Sequence, residues 1–173
     1  MISGTPGTGK TQVSGLLAKK LGFKLIAVND FAEGHGLVED TDEVRGSLVI
    51  DEEKLKTEID KLSGDMVVDG HLAHFCSADL VVVLRTSPIV LEKRLLSRDW
   101  SPGKITENVE AEILDVILQE AVEVNGNVVE IDTTALDAKA VAGVISDMVK
   151  NKNYGDYRPG KVSWATFFDM LSL

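Results

Sequence analysis

Short continuous apolar runs alternate along this chain with stretches whose apolar residues recur at helical spacing. From Thr8 to Leu21, Val13, Leu16, Leu17 and Leu21 form one such face, and Gly22 follows as a suitable C-cap. KLIAV (24–28) predicts a strand, and DEEKLKTEIDKL (51–62) predicts an amphipathic helix with Asp51 as N-cap and Ser63-Gly64 as its stop. DMVVD (65–69) and DLVVVL (79–84) show no alternation, as expected of parallel strands covered on both faces. SPIVLEKRLLSR (87–98) opens a helix with Ser87 as cap and Pro88 in the first position. After the polar turn DWSPGK (99–104), TENVEAEILDVILQEAVEV (106–124) predicts one long helix, NVVEI (127–131) a fifth strand and 137–150 a further helical stretch. The segment 29–50 is Gly- and acid-rich with little periodicity and predicts a small insert.

This alternation of strands and helices predicts an α/β fold, a parallel sheet with helices on both faces, without internal repeats or low-complexity tracts. Residues 1–150 form the expected core. The remainder, 151–173, differs in composition: NKNYGDYRPGK reads as a linker and VSWATFFDMLSL as a short helix-like piece. Five of the nine aromatic residues lie there (Tyr154, Tyr157, Trp164, Phe167, Phe168), so the tail either packs back on the core or serves as a docking arm.

The chemistry begins at once. Gly4 to Thr11 reads GTPGTGKT, a complete G-x-x-x-x-G-K-[ST] loop between a strand and a helix. Gly4, Gly7 and Gly9 let backbone N–H groups curl around phosphates, and the following helix adds its positive N-terminal end. Lys10 reaches β- and γ-phosphates, and the Thr11 hydroxyl suits Mg²⁺. Asp69 ends an apolar strand, where its carboxylate can act on Mg²⁺ or orient an attacking group, with His71 and His74 on the next loop. Arg94 and Arg98 are four apart on one helix face and can point at the same phosphate group. Arg85 ends a strand at the expected ligand edge, and Asp30 and Arg45 lie in the insert as acceptor-side candidates. Thr133, Thr134 and Ala135 follow the fifth strand, where a loop can frame adenine. No Asn-Lys-x-Asp stretch for guanine is present.

Composition narrows the partners. With 18 Lys+Arg against 28 Asp+Glu, the net charge is −10, so phosphate must be attracted by a few positioned cations rather than by an overall field. Direct nucleic-acid binding through that field is not expected, whereas a basic protein is the more natural macromolecular partner. A single Cys76 rules out an internal disulfide and a multi-cysteine zinc site. No apolar run approaches the roughly 20 residues of a membrane span, and the loop motif occupies the place of a signal peptide. A cytoplasmic location and no membrane association are therefore expected.

Taken together, GTPGTGKT, the VND turn at 28–30, VVDGH, LRTSPIVLEKRL and SRDWSPGKITENVEAEI resemble the archaeal and eukaryotic-nuclear adenylate-kinase-like ATPases linked to small ribosomal subunit maturation. The resemblance covers about residues 1–150. It implies a P-loop nucleoside-monophosphate-kinase fold with a five-stranded parallel sheet in the order 2-3-1-4-5, an AMP-side insert at about 27–50 and a short lid at about 97–107. It also implies ATP and Mg²⁺ as cofactors, AMP as acceptor, and a basic ribosomal protein of the small subunit as a partner. Contacts to ATP are implied for Gly7, Gly9, Lys10, Thr11, Gln12 and Arg98, while Asp69 and His71 match the family's D-x-H element. Two departures matter: Gln12 stands where a hydroxyl residue is usual, and acidic ENVEAE (107–112) replaces the arginine-rich arm of larger adenylate kinases. Fewer lid cations weaken the exclusion of water, so ATP hydrolysis is expected beside transfer.

Only Met1, Ile2 and Ser3 precede the loop. Because burying a charged amine is costly, Met1 is expected at or near the surface, at the end of the sheet remote from the loop, in a strand flanked by longer ones.

Overall fold

The computed structural model describes residues 1–42 and 47–171. Arg45 lies outside them. Five parallel strands form the central sheet: β1 (Ile2–Ser3), β2 (Lys24–Ala27), β5 (Met66–Asp69), β6 (Val81–Arg85) and β7 (Val128–Asp132). Their spatial order is β2-β5-β1-β6-β7, which among these five is the expected 2-3-1-4-5. β6 is buried along its whole length, and its side chains divide between the two faces. Val82 and Leu84 meet α1 (Lys10–Leu21) and α7 (Ala138–Asn151) through Val13, Leu17, Val141 and Ile145. Val81 and Val83 meet α6 (Val116–Val124) through Leu118 and Ala121. A third cluster joins Ile26 and Val68 to α2 (Val28–Gly34) and α3 (Glu52–Asp60).

The two-residue β1 is held between longer neighbours, with Ile2 opposite both Asp69 and Val82. Met1 is half-buried at the edge of the core. It lies at the end of β1 away from the loop, where its amine donates to the Leu80 carbonyl at 2.6 Å and its side chain packs against two core clusters. Burial pushes the amine down to about 6, so part of the cost of covering its charge appears as a weaker hold on the proton.

Two readings change. The insert holds α2 and an antiparallel hairpin, β3 (Val38–Asp42) with β4 (Ser47–Ile50). The helix expected over 106–124 is two helices, α5 (Pro102–Ile113) and α6, with Asp115 between them at φ 58°. The cause is tertiary. Arg85 Nη2 donates to the Glu112 carbonyl at 3.1 Å, the acceptor an unbroken helix would give to the amide of residue 116, and also bonds the Asp115 carboxylate. Elsewhere the caps follow the chain pattern, with Asp51 accepting from the Lys54 amide at 2.9 Å and Gly22 closing α1 in the left-handed region. Ser87 precedes α4 (Pro88–Leu96) without a side-chain cap bond.

The tail returns to the core. Tyr154 and Tyr157 pack against the α1–α7 side, and Phe167 and Leu171 pack against a cluster made by α4 and α5.

Candidate active site

The C-terminal ends of the parallel strands open into a cavity of about 1270 Å³. Its floor is the glycine loop between β1 and α1. Gly7 has φ 99°, and a Cβ there would lie 2.8 Å from Leu91 Cδ1 and 3.0 Å from Leu95 Cδ2, so α4 is pressed against the loop as closely as glycine permits. Arg94, one turn along α4, donates to the Gly7 carbonyl at 3.3 Å, the Thr133 carbonyl at 3.1 Å and Thr86 Oγ1 at 3.3 Å. It lines the cavity while bracing the loop.

Lys10 Nζ is folded onto the same loop, donating to the carbonyls of Gly4 (2.6 Å) and Thr5 (3.1 Å). Burial lowers its pKa to about 8; Asp69 opposes the shift, and the positive charge of Arg98 adds to it. Arg98 is thus close enough to Lys10 to repel it, and the two present positive charge to one space. Arg98 also sits 5.1 Å from the Trp100 ring centre, with Lys104 Nζ at 3.9 Å from the same centre. Both Trp100 and Lys104 line the cavity.

Asp69, at the end of β5, is 7% exposed, and its Oδ1 has no hydrogen-bond partner. Burial raises its pKa, while the nearby Thr11 and Ser14 hydroxyls and Lys10 favour the ionised form without closing a bond on Oδ1. An orphaned, buried carboxylate oxygen beside a threonine hydroxyl is a donor pair suited to a hard divalent cation, so these residues fit Mg²⁺. Next to it, Gly70 carries β5 past α2: a Cβ there would lie 2.6 Å from Val28 Cβ. His71 lines the cavity, its pKa lowered to about 4 by burial and by Lys10 and Lys104, so the ring is neutral near pH 7. His74 faces inward instead, with Nδ1 3.0 Å from Ser3 Oγ and Nε2 3.2 Å from Glu120.

Gly7, Gly9, Lys10, Thr11, Gln12, Asp30, Asp69, His71, Arg94 and Arg98 therefore share one cavity. Of the expected side chains among the described residues, His74 and three others do not. Arg85 is buried beneath it, bonded to Glu112, Glu130 and Asp115. Thr134 turns its hydroxyl to Asp132 and accepts from the Ser87 amide, and neither it nor Ala135 lines the cavity. The wall after β7 is made by Thr133, Leu136, Asp137 and Ala138. Trp100, Lys104, Asn108 and Gly70 are site residues that sequence reasoning did not name.

A family model described as "AAA domain" matches residues 1–115. A protein of Thermococcus gammatolerans named "Putative adenylate kinase" is 44% identical over 169 residues, covering 97% of this chain and 93% of its own length. One of the same name from Methanocaldococcus jannaschii is 39% identical over 176 residues, covering 99% and 96%. The chain belongs to this family. Among solved structures, shikimate kinase from Acinetobacter baumannii superposes with a TM-score of 0.61 at 19% identity, over 88% of this chain and 92% of that one. Deoxyadenosine kinase from M. mycoides with bound dATP gives 0.58 at 16% identity, over 86% and 97%. The fold is that of the P-loop kinases. No helix among the described residues is long and apolar enough to cross a membrane.

Proposed function

We propose that this protein is an adenylate kinase, a phosphotransferase passing the γ-phosphoryl group of MgATP to AMP to give two ADP. The observation that carries the reading is a single cavity in which the glycine loop, Lys10, Arg98 and the orphaned Asp69 carboxylate face the insert wall of Val28, Asn29, Asp30 and Leu48. At about 1270 Å³ it exceeds the roughly 300–1,000 Å³ typical of a pocket for one small ligand, as two nucleotides require.

In this reading the loop amides and the α1 N-terminus hold the donor's phosphates. Lys10 leaves its carbonyl partners for the β- and γ-phosphates, and Arg98 neutralises charge that spreads over the transferring oxygens. Thr11 and Asp69 would hold Mg²⁺, which would supply positive charge to offset that of the phosphates. His71, neutral and half-buried, orients the acceptor phosphate by hydrogen bonding rather than by charge. Asp30 and Arg45 are assigned to the acceptor side, and the wall at 133–138 to the adenine of ATP.

Of the proposed lid at about 97–107, residues 97–101 join α4 to α5 and the rest belong to α5; so short a lid supports ATP hydrolysis as a companion reaction when no acceptor is bound. The charge of −10 is consistent with a basic partner such as a protein of the small ribosomal subunit. The acceptor assignment is tested by initial rates with MgATP and a panel of AMP, other nucleoside monophosphates and small hydroxy acids. AMP is expected to give the highest kcat/KM. A hydroxy acid outperforming every nucleotide would refute the assignment.

A further inference from the structure

Beneath the cavity one cation is surrounded by three carboxylates. Arg85 donates from Nε to Glu112 Oε1 at 2.8 Å, from Nη1 to Glu130 Oε2 at 3.1 Å, and from Nη2 to Asp115. Glu112 and Glu130 are each only 2% exposed, so negative charge exceeds positive in a place water does not reach. A buried carboxylate must find other donors or change its place. The Thr86 amide supplies one, to Glu112 Oε1 at 3.1 Å, and the C-terminal segment supplies three more. The amides of Lys161 and Val162 donate to Glu130 Oε1 at 2.6 and 2.9 Å, and the Trp164 indole N–H donates to Glu112 Oε1 at 3.0 Å.

Glu112 passes this constraint to the glycine loop. Its Oε2 accepts from the Thr5 hydroxyl at 2.6 Å, and the Thr5 carbonyl accepts from the Thr8 amide (3.2 Å), the Thr8 hydroxyl (2.8 Å) and Lys10 Nζ (3.1 Å). The tail is thus two hydrogen bonds from the loop residue that organises Thr8 and Lys10. A second, apolar route runs in parallel: Phe167 and Leu171 pack on the cluster containing Leu91 and Leu95, the two side chains that abut Gly7.

We propose that Lys161–Leu171 is a strap that positions the glycine loop, with Trp164 the positioning residue that aims Glu112 at Thr5. Trp164 does not line the cavity; it acts through Glu112. The strap's significance for turnover rests on the reading of the loop as a nucleotide site, but the strap itself is observable without nucleotide.

The test is amide hydrogen exchange of peptides spanning residues 4–11 in the full chain, free of nucleotide, for wild type, Trp164→Phe, Thr5→Val and the double variant. Phenylalanine keeps an aromatic ring near Arg85 and Phe167 and removes the indole N–H together with part of the ring's volume, so the Thr5→Val background is what isolates the hydrogen bond to Glu112. Loop exchange is expected to rise about tenfold in Trp164→Phe, the scale of losing a hydrogen bond to a buried charge. In the Thr5→Val background the same change should add almost nothing, because both variants cut one chain of contacts. Unchanged loop exchange, equal acceleration throughout the protein, or full additivity with Thr5→Val would overturn the proposal. Should Trp164→Phe fail to fold, Phe167→Ala loosens the strap without touching Glu112: selective acceleration of the loop supports the strap, and its absence refutes it. A MgATP titration separates the two readings. If wild type binds no MgATP, the nucleotide reading fails while the exchange result still decides the strap.

Discussion

Lys10 is held by two backbone carbonyls at 2.6 and 3.1 Å, so its ammonium is already aimed and its side chain largely ordered. Replacing these contacts by phosphate oxygens exchanges neutral acceptors for charged ones, which are roughly twice as strong as partners. Lys10→Ala should therefore lower kcat/KM for MgATP by roughly 10²–10³, the scale of removing one preorganised electrostatic contact, with the melting temperature little changed. Steady-state kinetics beside a thermal melt checks this, and unaltered turnover would dissociate the loop from catalysis.

His74 gives a different kind of prediction, because it belongs to the core rather than to the cavity. Its pKa is lowered to about 4, mainly by burial, despite the 3.2 Å approach of Glu120. Glu120 is 41% exposed, so its attraction is screened by water while the ring, fully buried, meets the whole desolvation penalty. The folded pKa lies below the ordinary value of 6.5, so on acidification the unfolded chain takes up a proton that the native ring refuses. Stability is retained above pH 6.5 and lost as the pH falls toward 4, by up to about 3 kcal/mol from this ring. Urea unfolding at pH 7.5 and 4.5 should show a smaller loss for His74→Gln than for wild type. Equal losses would mean that His74 titrates normally in the native protein.

Among the elements, those set by contacts close in the chain were legible. The glycine loop, the Asp51 cap, the Gly22 stop and the buried runs around Val67 and Val82 are each written in a few consecutive residues. The hairpin was not: most of β3, Val38–Asp42, is exposed, so no apolar alternation marks it. Nor was the break at Asp115, because apolar residues continue across it and the interruption comes from Arg85, 30 positions away. A signal for that network did exist. Glu112 falls on the face of α5 that buries Ile105 and Val109, and Glu130 interrupts a buried strand. Carboxylates at such positions call for a buried cation, and Arg85 at the end of its own apolar run was the candidate.

Gly70 makes the contact between β5 and α2 testable. In Gly70→Ala the new methyl meets Val28, itself 0% exposed, at the start of the helix that carries Asn29 and Asp30 into the cavity. Overpacking of this kind costs about 1–3 kcal/mol. Because the displaced wall is on the proposed acceptor side, the variant should melt lower and raise KM for AMP more than KM for MgATP. A larger effect on MgATP would place the acceptor elsewhere.

For the whole molecule, the parallel sheet covered by helices was legible in the strand–helix alternation, whereas its strand order was implied by the family resemblance rather than by the pattern. The assembled cavity was less legible. Its loop is braced by partners far along the chain, Thr5 with Glu112 at 107 residues' separation and Gly7 with Arg94 at 87, and no local pattern encodes such pairs. Arg85 shows the consequence: the strand end places it at the ligand edge, but neighbouring carboxylates turn it inward.

The central claim is that the γ-phosphoryl group crosses the cavity to AMP rather than being lost to water. The direct measurement is its fate: ATP labelled in the γ-phosphate is mixed with the protein, Mg²⁺ and unlabelled AMP, and the products are separated. The account predicts that the label appears chiefly in ADP, on the phosphate newly joined to AMP, at a rate that rises with AMP and saturates. Label released chiefly as inorganic phosphate at a rate indifferent to AMP would contradict it.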